Sequence, residues 1–345
     1  MNAFERLCPA PPSWAVRWDE LRDLRPEADA HARRTVEALA GLDRWRGRPP
    51  AERARLFAAA LLVDGGDPDS ARRGELAARR RLWEMGVPIA WREHVCALVR
   101  HRRLPFGALE HPDLDRVAFR VSLLARNDDL ALLATADVLA RGGPGARALL
   151  DEVALFMEYT REIGCLDGPR AFASDHARFE YFRTPGRVGR DPGYAAFDDT
   201  RFTVTVMSGL PGSGKDHWIA ANRPGLPVVG LDDLRDELGV RPTGDQGPVI
   251  AAAYARAREH LRAATPYVWN ATNVTRALRS RCIGLAAGYG ARVEVVSVEA
   301  PPDVVHRRNR ARPRRVPATV IDRLAGRWEL PDPTEAHEVR WVLNE

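Results

Sequence analysis

Residues 204–218 read VTVMSGLPGSGKDHW. Gly209, four intervening residues, Gly214 and Lys215 have the spacing of a loop that wraps phosphate. Glycines there let backbone N–H groups turn inward on an anion without a Cβ in the way. A helix starting at the lysine adds the partial positive charge of its N-terminus. The chain holds 52 lysines and arginines together, and Lys215 is its sole lysine. A composition that favours arginine everywhere else has spared this position, because a slim ammonium lies along such a loop and a forked guanidinium does not. The plainer alternative is a glycine-rich turn with a surface lysine. The β-branched run before the loop and the helical run after it favour the phosphate loop. Gly209, Gly212, Ser213, Gly214, Lys215, Asp216 and His217 are thus the candidate nucleotide-binding residues.

One residue departs from the pattern. The position after the lysine usually carries Ser or Thr, whose hydroxyl binds Mg²⁺. Here it is Asp216. A carboxylate is a good hard ligand for Mg²⁺, yet it adds negative charge beside the phosphates unless the cation offsets it. Asp216 is therefore expected to hold the metal, directly or through water, the alternative being that it signals an altered activity.

Two further sets of residues complete a transfer site. Asp232 follows the apolar stretch LPVVG, and Arg235 lies three positions on, so both face one side of a helix start. A carboxylate at the end of a strand can accept a hydroxyl proton while the arginine grips an anion on the acceptor. The bland alternative is a helix-capping aspartate with a surface partner. Farther on, RRNRARPRR packs six arginines into nine residues, Arg307 to Arg315. Such a run is ordinarily a solvated surface. After a strand and a short helix of a nucleotide-binding domain it can serve as a lid that neutralises phosphoryl charge.

These residues need elements to hold them. RFTVTVM, LPVVG, PYVWN and RVEVVSVEA are short, β-branched and bounded by turn residues. Helical runs lie between and after them, at about 214–221, 231–238, 248–264, 276–288 and 317–328. Strands alternating with helices predict a parallel sheet covered on both faces. Upstream, from about 14 to 180, apolar residues recur at helical spacing and no segment reads as a strand. The stretch 183–200 is rich in Gly, Pro and charge. The expected organisation is an all-α domain over 1–182, a linker over 183–200 and an α/β phosphate-loop domain over 201–345, a two-domain α plus α/β chain.

Composition narrows the setting. No apolar run reaches membrane-spanning length, and the N-terminus lacks the basic and apolar regions of a signal peptide. Cys8, Cys96, Cys165 and Cys282 are scattered without a CxxC pair, as in a reduced, cytoplasmic protein. A net charge of +5 favours polyanionic partners such as nucleic acid.

GLPGSGKD, LDDLR, VWNATNVTRALR, RNRARPRRVP and VIDRLAGRWELPDPTEAHEV together resemble the 5′-hydroxyl polynucleotide kinases of the bacteriophage and bacterial nucleic-acid repair type, over roughly 200 to 340. The resemblance implies an ATP or other NTP donor, Mg²⁺, and an acceptor bearing a 5′-hydroxyl. It implies that Asp232 is the general base, that Arg235 contacts the acceptor phosphate, and that Arg308 and Arg312 are lid arginines acting with Lys215. Many members carry an acidic residue in a DDTN segment, where this chain has Asn270-Ala271-Thr272-Asn273.

Such kinases are sometimes fused to an HD-type phosphohydrolase domain, and the helical half is similar to one. His31, Asp64, His101 and Asp137 stand where metal ligands are expected. Val63 replaces the central histidine, and Arg102 stands where another ligand belongs. A site short of ligands loses metal affinity steeply, so this half is expected to be a metal-free, degenerate relic. His94 and His111 are expected to be structural or surface residues. The whole reads as an NTP-dependent polynucleotide 5′-hydroxyl kinase for RNA or DNA ends. The alternatives are a small-molecule kinase of similar fold, and a catalytically silent nucleotide- or nucleic-acid-binding protein.

Overall fold

The computed structural model describes residues 29–63, 70–183, 191–241, 243–312 and 315–344. The chain forms two compact units, Met1–Ala171 and Phe172–Glu345. Among the described residues no helix is long and apolar enough to cross a membrane.

The first unit is helical. Among the described residues its α-helices are Asp29–Gly41, Asp43–Arg46, Pro50–Leu62, Ser70–Glu84, Ile89–His101, Leu114–Ser122, Asn127–Arg141 and Ala146–Glu162. Pro50 opens its helix at a position where the missing N–H is harmless. Leu39, Leu56, Phe57, Leu82, Val95, Leu98, Leu130 and Phe156 form one core. The helix Ile89–His101 is buried from Arg92 to Val99, charged residues included. Those charges are paired. Arg79 donates to both oxygens of Glu93 at 3.0–3.1 Å through Nε and at 2.7 Å through Nη2, and Arg92 donates to Glu93 at 2.9 Å. Burial alone would raise the Glu93 carboxyl, but the two guanidinium groups outweigh it and hold the carboxyl below its usual range.

The second unit is built on a five-stranded parallel sheet, β1 (Phe202–Ser208), β2 (Val228–Gly230), β3 (Tyr267–Asn270), β4 (Ala291–Glu299) and β5 (Glu338–Leu343), in the order β2-β3-β1-β4-β5. β1 and β4 are buried along nearly their whole length, as strands covered on both faces must be. The chain leaves β1 toward β2 and β3 on one side, then crosses to β4 and β5 on the other. That reversal puts a crevice at the carboxyl end of β1, the topological switch point where open α/β sheets bind ligands. The register sets Ser208 beside Ser297 and Gly230 beside Asn270, so the ends of β1, β2 and β3 share one rim.

Two elements differ from the sequence-based expectation. β5 is a fifth strand where none was foreseen. It lies at the sheet edge with no fully buried residue, so its apolar residues alternate with Glu338 and Arg340 and carry little strand signal. The helix Asp175–Arg183 belongs to the sheet unit, so the division falls at 171/172 rather than at 182. Phe179 joins the core of the sheet, Arg178 donates to the carbonyls of Pro333 (3.0 Å) and His337 (2.7 Å), and His176 Nδ1 meets His337 Nε2 at 3.1 Å. Of the expected linker, 191–200 carries no helix or strand, and 184–190 lies outside the described residues.

Candidate functional site

The phosphate loop runs from the end of β1 into the helix Lys215–Asn222. Gly209 has φ +146°, and a Cβ there would collide with the Val298 carbonyl oxygen and approach Ser213 Oγ to 2.7 Å. At Gly212, φ +85°, a Cβ would come within 2.8 Å of the Val305 carbonyl oxygen. Only glycine serves at either position. The loop is stitched to its neighbour: Gly209 N donates to Thr272 O (2.9 Å), Ser208 Oγ to Asn273 O (3.1 Å), and Asn273 Nδ2 to Met207 O (2.9 Å). Asn273 sits at φ +42°, a conformation asparagine tolerates better than most residues. Ser213 Oγ is buried and has no hydrogen-bond partner among the described residues, which suits a loop shaped for a ligand.

Lys215 is half-buried, and Nζ donates to the carbonyl oxygens of Gly209 (2.9 Å) and Leu210 (3.0 Å). Burial, with the charge of Arg312, pushes this ammonium down to about 8, against the opposing pull of Asp216 and Asp232.

Asp232 lies in the first turn of the helix Leu231–Glu237, whose N-cap, Gly230, supplies no side-chain bond. Asp232 is thus no cap. It is largely exposed, and it accepts a hydrogen bond from Arg235 Nη1. Arg235 Nε donates to Gln246 Oε1 at 2.7 Å, and Gln246 Nε2 in turn donates to the carbonyls of Arg241 and Gly244. The arginine is thereby aimed by a residue that sequence reading did not single out.

The two arginines of the basic run arrive from the helix Pro302–Ala311 and its C-cap. Arg308 Nη1 donates to the Asn344 carbonyl (3.2 Å) and Nη2 approaches Asn344 Oδ1 (3.4 Å), while Asn344 Nδ2 donates to Ser213 O (3.3 Å). Asn344 so ties Arg308 to the phosphate loop. Arg312 Nη2 lies 3.9 Å from Asp216 Oδ2. Asn309, buried between them, clamps the turn with Nδ2 to Val316 O (2.7 Å) and Oδ1 from Val316 N (3.0 Å). Pro313 and Arg314 lie outside the described residues.

Asp216 and His217 are exposed at the start of the helix. Asn270 Nδ2 donates to Asp216 Oδ1 at 2.7 Å. Among the described residues no group of three His, Cys, Asp or Glu side chains could hold a metal ion. One carboxylate and one carboxamide are nonetheless the oxygen donors suited to Mg²⁺, an ion that takes one or two protein carboxylates and fills its other positions with phosphate oxygens and water.

In the helical unit, His31 Nε2 and Asp137 Oδ1 meet at 2.8 Å, and Arg141 Nη2 lies 3.1 Å from Asp137 Oδ2. Two of the four expected ligand positions thus come together, with an arginine on the second carboxylate oxygen. Asp64 lies outside the described residues. His101 ends the helix Ile89–His101, and the next residue, Arg102, is buried and donates to the Val99 carbonyl. His94 is buried and pairs with Asp129 at 3.2 Å, and exposed His111 accepts from Asp113 N at 3.1 Å.

A family model described as an AAA domain matches residues 204–331. No curated protein matches the chain. The match spans the phosphate loop, the helix bearing Asp232, and both Arg308 and Arg312. The second unit is a P-loop, kinase-like nucleotide-binding domain.

Proposed function

We propose that this domain transfers the γ-phosphoryl group of a nucleoside triphosphate to the 5′-hydroxyl of RNA or DNA. The observation that carries the reading is the phosphate loop with Lys215 laid on its Gly209 and Leu210 carbonyls, Arg312 3.9 Å from Asp216, Arg308 tied to the loop through Asn344, and Asp232 just past the end of β2 on the same rim. That is the equipment of phosphoryl transfer: a cradle for the donor, a base for the acceptor, and cations for the group in flight.

The loop's backbone N–H groups and Lys215 hold the β- and γ-phosphates. Lys215 exchanges the Gly209 and Leu210 carbonyls for phosphate oxygens, a stronger, charge-assisted pairing. Arg235, steadied by Gln246, grips the phosphate next to the acceptor hydroxyl and brings its oxygen in line. As that oxygen bonds to the γ-phosphorus, the bond to the β,γ-bridging oxygen breaks and the hydroxyl proton passes to Asp232. Arg308 and Arg312 stabilise charge on the transferring group. Asp216 would hold Mg²⁺, which when bound neutralises the β- and γ-phosphate oxygens.

The 5′-hydroxyl acceptor is supported by the resemblance of five stretches of this sequence to polynucleotide kinases and by the basic balance of the chain. The helical unit is read as a degenerate HD-type domain, supported by the His31–Asp137 pair and by Arg102 at a ligand position. Acceptor competition tests the assignment. Excess 5′-hydroxyl oligonucleotide should suppress phosphorylation of small alcohols and nucleosides, with affinity that falls steeply as salt rises. Small acceptors turned over as well as oligonucleotides, with no salt dependence, would make this a small-molecule kinase.

A further inference from the structure

The residue after the loop lysine and the residue at the end of β3 both depart from the common pattern, and the structure brings the two departures into contact. A P-loop site ordinarily takes a neutral hydroxyl from the position after the lysine and a carboxylate from a neighbouring strand end. Here the carboxylate, Asp216, starts the helix and the neutral side chain, Asn270, ends the strand, with Asn270 Nδ2 donating to Asp216 Oδ1 at 2.7 Å. We propose that Asp216 and Asn270 form one divalent-cation site in which the carboxylate and the neutral oxygen donor have exchanged positions. The inference rests on reading the loop as a donor-nucleotide site and is independent of which acceptor is used.

The geometry supports the exchange in three ways. The hydrogen bond fixes the carboxamide orientation: with Nδ2 turned to Asp216, Asn270 Oδ1 is the remaining acceptor and can bind the cation or its water. It also holds Asp216 Oδ1, while Oδ2 lies 3.9 Å from Arg312 Nη2, so the carboxylate is steadied from both sides. The net charge of the pair is that of one carboxylate, the same as a hydroxyl with an aspartate. An acidic residue at position 270 would instead set two carboxylates within hydrogen-bond distance, and like charges so close do not both ionise freely. Asn270 is therefore what allows an aspartate at 216, and neither departure is a lost ligand.

The test measures binding of a non-hydrolysable ATP analogue by calorimetry, with and without Mg²⁺, and of Mn²⁺ by electron paramagnetic resonance. Asp216→Ser should weaken cation binding by about 10-fold or more. It should also raise cation-free nucleotide affinity, because a negative charge beside the phosphates has gone. Asp216→Asn, which keeps the shape, should behave alike. The double variant Asp216→Ser with Asn270→Asp, which restores the common arrangement, should recover cation affinity to within about 3-fold of wild type, since the donor set is again complete. The proposal is overturned if Asp216→Ser leaves the cation dependence untouched, or if the double variant binds the cation as weakly as the single one. Wild-type protein that binds no nucleotide under any condition would overturn the donor-site reading and this inference with it. Nucleotide binding indifferent to the cation would overturn this inference alone.

Discussion

Lys215 Nζ donates to the carbonyl oxygen of Gly209 at 2.9 Å, so the ammonium is bound by the loop it serves. Its pKa is near 8 in this state. Bound phosphate adds negative charge beside it and raises that value, so nucleotide binding takes up a proton once the pH exceeds about 8. Nucleotide affinity should be flat below pH 7.5 and fall above pH 8, approaching about tenfold per pH unit. Calorimetric titrations between pH 6.5 and 9.5 check this. Lys215→Arg should not restore binding, because the fork does not lie along the loop.

Gly209→Ala forces a Cβ against the Val298 carbonyl oxygen at positive φ. The strain alone costs on the order of 1–3 kcal/mol, and the loop must shift to relieve the collision. Thermal unfolding should show a lowered midpoint, and nucleotide binding should be lost even in the fraction that remains folded.

Arg279 and Glu335 form a fully buried, bidentate pair, Nε to Oε2 and Nη2 to Oε1, both at 2.8 Å. Arg279 Nη1 also donates to the carbonyls of Asn273 (3.0 Å) and Glu329 (2.7 Å). Glu335→Gln or Arg279→Met leaves a buried charge or its hydrogen bonds uncompensated and should destabilise the protein by about 3–5 kcal/mol. Chemical denaturation reads the loss. Because Arg279 also holds Asn273, which pins the end of β1, nucleotide affinity should fall as well.

His337 is buried, packs tilted against Phe179 with ring centroids 4.2 Å apart, and accepts from Val293 N through Nδ1 at 3.0 Å. Burial, with the nearby charges of Arg292 and Arg178 and the His176 ring, pushes its pKa down to about 4, opposed by Asp198. The folded state therefore binds fewer protons than the unfolded chain between pH 6.5 and 4. Stability is complete above pH 6.5 and is lost progressively down to pH 4, by about 2–3 kcal/mol. Hydrogen exchange should find the helix Asp175–Arg183 released first on acidification. His337→Gln should flatten that dependence.

How legible the protein was in its sequence varies by element. The four strands β1 to β4 announce themselves by β-branched runs, and the phosphate loop by its glycine spacing and its lone lysine. β5 does not, because an edge strand may alternate Glu338 and Arg340 with apolar residues and remain half-buried. The helix Asp175–Arg183 reads as the tail of the helical half, and only its contacts with His337 and Pro333 assign it to the sheet. Asp232, Arg235 and Lys215 were singled out from chemistry. Asn273, Asn309 and Asn344 were not, since each takes its role from a backbone group brought near by the fold. Arg279 and Glu335 lie 56 positions apart, and nothing local to either forecasts the pairing. The exchange between Asp216 and Asn270 was visible as two separate departures, and only their contact joins them.

The most direct test of the account is transfer of labelled γ-phosphate from ATP to a 5′-hydroxyl oligonucleotide in the presence of Mg²⁺, with wild-type protein and Asp232→Ala side by side. Wild type should give a 5′-phosphorylated product and the variant a rate lower by about 10²–10⁴-fold, the contribution of a positioned base, with nucleotide binding intact in both. Wild type and variant equally inert while both bind nucleotide would contradict it, and the domain would then be a nucleotide-binding module without transferase activity.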